Sequence, residues 1–237
     1  VAVMSSSFFR VSARSGCLLF LVLSLSLVAS CSYRGGASVT LHREGQTAFR
    51  KIAVLPFQSF VPEQGSPANV ACPICGTVFR TERLPADAHP ERIVEQIFLK
   101  KLEQKKIELL AGERVAGIYQ RVHVDSLKKA PLSVIKEVGD ALGADGVIAG
   151  YVFRFRERKG VAYSVERPAS VGFEIHLIRS SDAVIVWKGS YDRTQSTLME
   201  DLLQIASFYR EGGRWVTAEE LTEEGVEEII KSFPTPQ

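Results

Sequence analysis

The 237-residue chain is poor in the groups that most chemistry needs, with four cysteines and four histidines. His42, His89, His123 and His176 are scattered, and His176 sits between Ile175 and Leu177, where a strand would hold it as a structural group. There is no Gly-x-Ser-x-Gly elbow, which removes the nucleophile of the α/β-hydrolases. Gly143, Gly146 and Gly150 lack both the phosphate-loop lysine and the dinucleotide spacing, and they lead into a strand, so they read as turn residues. A bilayer-length apolar run is missing as well. Cys17 to Ala29 would reach about 20 Å as a helix against roughly 30 Å of hydrocarbon. Nor is there an excess of charge. Without residues 1–30, which carry Arg10 and Arg14, 27 basic side chains face 27 acidic ones. That balance lacks the concentrated positive surface of a nucleic-acid binder, so no nucleic-acid partner is expected. With no catalytic set in view, the chain reads as a non-enzyme.

What is present begins with an address. Two arginines, a short apolar stretch and a small-residue end form an export signal. The final four residues, Val28-Ala29-Ser30-Cys31, resemble the lipobox of bacterial lipoproteins. That resemblance implies a diacylglyceryl group on the Cys31 thiol, cleavage just before it, and acylation of the new amino terminus. Two chains suffice for stable anchoring, so the expected partner is a membrane, reached through lipid on Cys31. Ser32 rather than Asp follows the cysteine, which implies the outer membrane and a periplasmic face. Either Val1, as a non-AUG start, or Met4 would begin the precursor without altering this reading.

Segmentation follows from composition. Residues 1–30 are the expected signal, 31–49 a Gly-containing tether, 50–210 an α/β domain with an irregular insertion at 58–90, and 211–237 a C-terminal amphipathic helix and tail. The run Lys51 to Phe57 suits a strand covered on both faces. From Glu91 the period becomes helical, with Ile93, Ile97, Phe98 and Leu102 on one face and Gly112 ending it. A second helix is expected over Ser133 to Leu142, presenting Val134, Ile135, Val138 and Leu142, with Gly143 as its cap. Strand patterns follow at Asp145 to Phe155, Val171 to Ile178 and Ala183 to Tyr191, the last two joined by a turn at Arg179 to Asp182. Within the first of these, Phe153 to Lys159 reads as a solvated basic face opposite a core face. Thr197 with Glu200 and Thr217 with Glu220 are capping boxes for two later helices, and Val216 is placed to staple onto Leu221. The fold class is therefore mixed α/β (α+β), a partly antiparallel sheet packed by amphipathic helices, with a C-terminal helical extension.

The Lys51-Ile-Ala-Val-Leu-Pro-Phe57 run, a helix, and a second helix entering Ala141-Leu-Gly-Ala-Asp-Gly-Val-Ile-Ala-Gly-Tyr-Val152 together resemble a group of envelope proteins. The group includes the curli-secretion lipoprotein CsgG, the penicillin-binding-protein activator LpoB and the amino-terminal domain of TolB. The resemblance implies a mixed sheet packed by helices. The anchor, the balanced charge and the missing catalytic set point to other envelope proteins as partners, and a CsgG-like role would add oligomerisation.

Cys72-Pro-Ile-Cys75-Gly76, inside the insertion, is the sharpest chemical feature. Two thiolates at this spacing match half of a zinc ribbon, but there is no second pair, since Cys17 leaves with the signal and Cys31 carries lipid. An oxidising periplasm favours a local disulfide between Cys72 and Cys75. Zinc is the alternative, with His89 and Asp87 as the further ligands in reach, and no other cofactor is implied. Thioredoxin-like redox chemistry would need the second cysteine at a helix N-terminus, and the following residues are not helical. The leading expectation is a periplasmic accessory or assembly lipoprotein that binds envelope proteins. The alternatives are a CsgG-like oligomeric secretion component and a metal-binding module on the Cys72 turn. Membrane-crossing strands need about 9–11 residues with an unbroken apolar face, which Arg154, Arg156 and Arg158 interrupt.

Overall fold

Alternate residues of the first apolar run enter two separate cores. Ile52 and Val54 join one hydrophobic cluster, Ala53 and Leu55 the other, and all four are buried. A strand with both faces covered requires layers on both sides, and the computed structural model has them. It describes residues 36–41, 49–60, 69–82, 89–105, 107–124, 129–162, 164–195 and 214–234. The signal segment with Cys31, and the helix expected after the Thr197 box, lie outside the described residues.

In chain order the elements are β1 (Ala37–Leu41), β2 (Lys51–Val54), β3 (Gln58–Ser59), β4 (Asn69–Ala71), β5 (Val78–Arg80), α1 (Pro90–Glu103), β6 (Glu108–Leu110) and α2 (Glu113–Val124). They continue with α3 (Pro131–Leu142), β7 (Gly146–Arg156), β8 (Lys159–Val161), β9 (Ser164–Arg167), β10 (Ser170–Arg179), β11 (Ile185–Thr194) and α4 (Ala218–Ile230). The main sheet runs β1-β11-β10-β7-β2-β6, with β3 also paired to β7. β7, β10, β11 and β1 are antiparallel in sequence, while β2 and β3 lie parallel to β7, and β6 to β2. The mixed α/β class expected from the sequence is what forms.

The two motifs that carried the family resemblance are bonded to each other. Asp145 accepts from the backbone N–H of Arg50 and Lys51 at 3.0 and 3.1 Å, and Lys51 Nζ donates to the Leu142 carbonyl at 3.0 Å. Gly143 caps α3 in the left-handed conformation, φ 58°, where a Cβ would be strained. One side of the sheet carries α1 and α4 around Trp187, Tyr191 and Phe173; the other carries α2, α3 and the small hairpin β4–β5. α4 begins with the expected capping box, complete in both directions between Thr217 and Glu220. Val216 and Leu221 share the cluster that α4 covers.

Four expectations change. Ala37–Leu41, placed in the tether, is an edge strand paired in register with Tyr191 to Trp187 of β11. The helix expected to end at Gly112 stops at Glu103; β6 follows, and Gly112 turns the chain into α2, which was not among the expected helices. The insertion expected to be structureless contains the β4–β5 hairpin, with Asn69 opposite Arg80 and Ala71 opposite Val78. Finally, the basic strip on β7 is not a solvated face. The β10 register slips between Gly172 and Phe173, so Arg154 pairs with Gly172 while Val152 pairs with Phe173, leaving Phe153 as an extra residue on β7. A bulge of this kind reverses the side-chain alternation beyond it. Arg154 therefore turns inward beside Phe153, bonding Asp192, Ser170 Oγ at 2.6 Å and the Arg80 carbonyl at 2.9 Å.

β8 and β9 form a separate two-stranded hairpin of three and four residues, short of the length a membrane-crossing strand needs. Among the described residues no helix is long and apolar enough to cross a membrane.

Candidate functional site

The β4–β5 hairpin lies across the sheet face carried by β7, β10 and β11, and the turn between its strands is Cys72-Pro-Ile-Cys75-Gly76-Thr77. The Cys72 N–H donates to the Thr77 carbonyl at 2.8 Å and the Gly76 N–H to the Cys72 carbonyl at 2.9 Å. Gly76 has φ 75°, which a residue with a Cβ adopts only under strain. Cys75 Sγ lies 3.1 Å from Thr77 Oγ1, and both sulfurs face β10. They are not bonded to each other.

Facing them are Glu174 and His176, two residues apart on β10 and so on one face of that strand. Both are fully buried. Cys72 Sγ is 3.8 Å from His176 Nε2, Cys75 Sγ is 3.0 Å from Glu174 Oε2, and Glu174 Oε2 is 3.4 Å from His176 Nε2. One donor atom from each of the four residues lies within 4.8 Å of the other three. Lys188 on β11 adds a cation, 3.4 Å from Glu174 Oε1 and 3.1 Å from Thr77 Oγ1.

The electrostatics follow from burial set against partners. Burial pushes the Cys72 thiol up, and its bond to His176 does not cancel that. At half-exposed Cys75 burial acts the same way, but hydrogen bonds from His176 and Thr77 outweigh it and the thiol falls below its ordinary value. Burial also opposes charge on Glu174, yet His176 overrides it and takes the carboxyl down to about 2. For His176, burial favours the neutral ring, while Cys72, Cys75 and Glu174 carry it well above the ordinary imidazole value. The cluster thus shuts a carboxyl group and an imidazole in with two sulfurs. A donor set of two thiolates, one imidazole and one carboxylate could hold a borderline-soft divalent cation.

Of the residues expected at this site, Cys72 and Cys75 are brought together with the cluster and His89 is not. His89 lies exposed at the start of α1, its Nδ1 3.3 Å from Glu91 Oε1, in the left-handed region at φ 38°. Asp87 and Cys31 lie outside the described residues. Cys75 is not at a helix N-terminus; a turn and β5 follow it. Glu174 and His176 were not anticipated as site residues. Their one sequence signal is a pair of titratable groups at i, i+2 in a strand otherwise filled by Val171, Phe173, Ile175, Leu177 and Ile178.

Beside the turn is a cleft of about 260 Å³ whose lining includes Pro73, Phe60, Gln58, Tyr119 and Tyr151. Gln58 Nε2 donates to the Tyr119 hydroxyl across it, at 2.5 Å.

No protein-family model matches the chain, and no curated protein matches it. Among solved structures, the chain is similar to a PelC dodecamer subunit from Paraburkholderia phytofirmans, with 14% identity and a TM-score of 0.49 over 86% of this chain and 100% of that one. It is also similar to lipoprotein GNA1162 from Neisseria meningitidis, with 10% identity and a TM-score of 0.37 over 69% and 97% of the two chains. The LpoB C-terminal domain from Escherichia coli aligns with 10% identity and a TM-score of 0.37 over 73% and 94%.

Proposed function

We propose that this protein is a lipid-anchored accessory protein of the bacterial cell envelope, non-enzymatic, whose α/β domain binds other envelope proteins. The observation that carries the reading is Cys31 behind Val28-Ala29-Ser30, at the end of a segment too short to remain in the membrane as a helix. Lipid on Cys31 supplies the anchor, and Ser32 after it directs the protein to the periplasmic face of the outer membrane.

The buried cluster has the form of a structural rather than a catalytic site. Its four donor groups all come from the protein, and two of them, Glu174 and His176, have no exposure at all, whereas a catalytic metal site keeps one position open for water or substrate.

The test uses the full chain expressed in a bacterial host. Radiolabelled palmitate is incorporated into the wild type and not into Cys31→Ser, and the wild type fractionates with membranes. Crosslinking in intact envelopes then joins its α/β domain to specific envelope proteins. Absence of the label, or crosslinks no different from those of an unrelated lipoprotein, overturns the reading.

A further inference from the structure

The geometry points to a structural zinc ion held by Cys72, Cys75, Glu174 and His176, which staples the β4–β5 hairpin to the sheet. The distances favour a shared ion over direct pairing. Around a tetrahedral zinc with bonds of about 2.0–2.3 Å, neighbouring donors stand roughly 3.3–3.8 Å apart. The 3.4 Å between His176 Nε2 and Glu174 Oε2 and the 3.8 Å between His176 Nε2 and Cys72 Sγ sit on that edge length. A charge-assisted N–H···O bond closes to about 2.7–2.9 Å, so the buried pair is too far apart to be an optimised ion pair. The Cys75 to Glu174 contact, 3.0 Å, is a thiol bond; with the thiol proton released to solvent and both atoms on one zinc, tetrahedral geometry sets them roughly half an ångström further apart.

Burial favours a shared ion. Glu174 and His176 are fully buried, and the donor nearest the carboxylate is the Cys75 thiol at 3.0 Å, with Lys188 Nζ and His176 Nε2 each 3.4 Å away. Buried charge held by contacts this loose is costly. A divalent ion with two thiolates and one carboxylate leaves a single negative charge, which Lys188 neutralises from 3.4 Å. A Cys72–Cys75 disulfide would remove both sulfur partners and leave Glu174 and His176 facing an inert bridge.

Donor chemistry selects the metal. Thiolate and imidazole with one carboxylate, in a four-donor cage without waters, suit zinc and exclude magnesium and calcium, which take oxygen ligands at higher coordination. Binding requires deprotonated sulfurs and a free imidazole nitrogen, so the protons those ligands hold go to solvent. Half-exposed Cys75 marks the entry side.

The role follows from topology. β4 and β5 form a sheet of their own, with no ladder to the main sheet. A lone two-stranded hairpin is marginally stable in water. This one is held by Phe79 stacked on Phe153 with centroids 4.2 Å apart, by Arg154 to the Arg80 carbonyl, by Arg156 to Glu82, and by Lys188 to Thr77. The cage joins its turn to β10, about a hundred residues away, and so fixes Pro73 at the rim of the neighbouring cleft.

The experiment uses the full-length protein purified in detergent without chelators. Elemental analysis should find about one zinc per chain, falling to background in Cys72→Ser and His176→Gln. Because those variants could unfold, the deciding arm is the wild type before and after a zinc chelator, then with zinc chloride restored, read by hydrogen exchange. Amides of residues 69–82 should exchange at least about tenfold faster without zinc and recover with it, while α4 is unchanged. A protein without zinc that gains none from zinc chloride overturns the site. Bound zinc whose removal leaves exchange of residues 69–82 unaltered overturns the staple.

Discussion

The Nε2 of His176 lies 3.8 Å from the Sγ of Cys72, although 104 residues separate them in the chain. Cys72 sits in the turn of an insertion and His176 in the middle of a central strand. Their meeting makes the insertion part of the domain and turns half of a metal-binding turn into a closed set of donors. The same sheet face also carries the buried Arg154 network, so polar bonds and one aromatic stack together hold the hairpin down.

Arg154 is 5% exposed and spans the hairpin, β10 and β11. Replacing it by leucine strands Asp192 and the Arg80 carbonyl. The expected loss is about 3 kcal/mol, the lower end for a broken buried pair because Asp192 keeps some solvent. Urea unfolding measures it. A loss below about 0.5 kcal/mol, typical of a surface change, would show that the arginine is not buried as described.

The capping box of α4 predicts a smaller effect. Thr217→Ala removes the acceptor for the Glu220 N–H, 3.1 Å away, and should cost about 1 kcal/mol in the same assay. Thr217→Ser keeps the acceptor and should recover most of it. Equal losses for both would mean that the methyl group, not the cap, matters.

Gly225 faces Tyr191, and a Cβ there would stand 2.6 Å from the ring. Alanine gains about 1 kcal/mol in helix propensity but forces α4 away from a fully buried tyrosine. Gly225→Ala should lower stability by a net 1–2 kcal/mol, roughly. A more stable variant would contradict the packing of α4 on β11.

Glu95 accepts from the Phe57 N–H at 2.9 Å. Burial raises its carboxyl above the ordinary 4.5, an effect larger than that hydrogen bond. Between the ordinary and the raised value the folded chain binds more protons than the unfolded one, so its contribution to stability falls as pH rises through that window. Glu95→Gln keeps an acceptor and does not titrate. Its stability relative to wild type should therefore increase from acid to neutral pH, in paired urea titrations. A pH-independent difference would contradict the burial of Glu95.

The sheet was legible where local pattern and burial agree. Ile52 to Leu55, the alternation along β10, Gly143 after α3 and the Thr217–Glu220 box each announce their element within a few residues. α2 carries an apolar stripe, Val115, Ile118, Tyr119 and Val122, but Val115 alone is fully buried, and Arg114, Gly117 and Arg121 interleave it so that the segment reads as a loop. β1 was missed because Ala37 to Leu41, although it alternates apolar and polar residues, is short and exposes Ser38, Val39 and Thr40, so it resembles a linker until β11 is known to run beside it. The inward turn of Arg154 depends on a bulge that no spacing reveals, since the extra residue is defined only against β10. The site divides the same way. Cys72 and Cys75 stand out by spacing, but His176 and Glu174 become ligands only when the insertion folds back over β10, a contact of long sequence separation. His89, nearer in the chain, lost to them because α1 carries it elsewhere.

The most direct measurement of the central claim is native mass spectrometry of the intact protein, released from detergent without reductant or chelator. The account predicts one zinc adduct per chain that is lost on acidification, leaving the mass of the fully reduced protein. A metal-free species lighter than the reduced mass by about 2 Da, the two hydrogens given up to a Cys72–Cys75 disulfide, would contradict it.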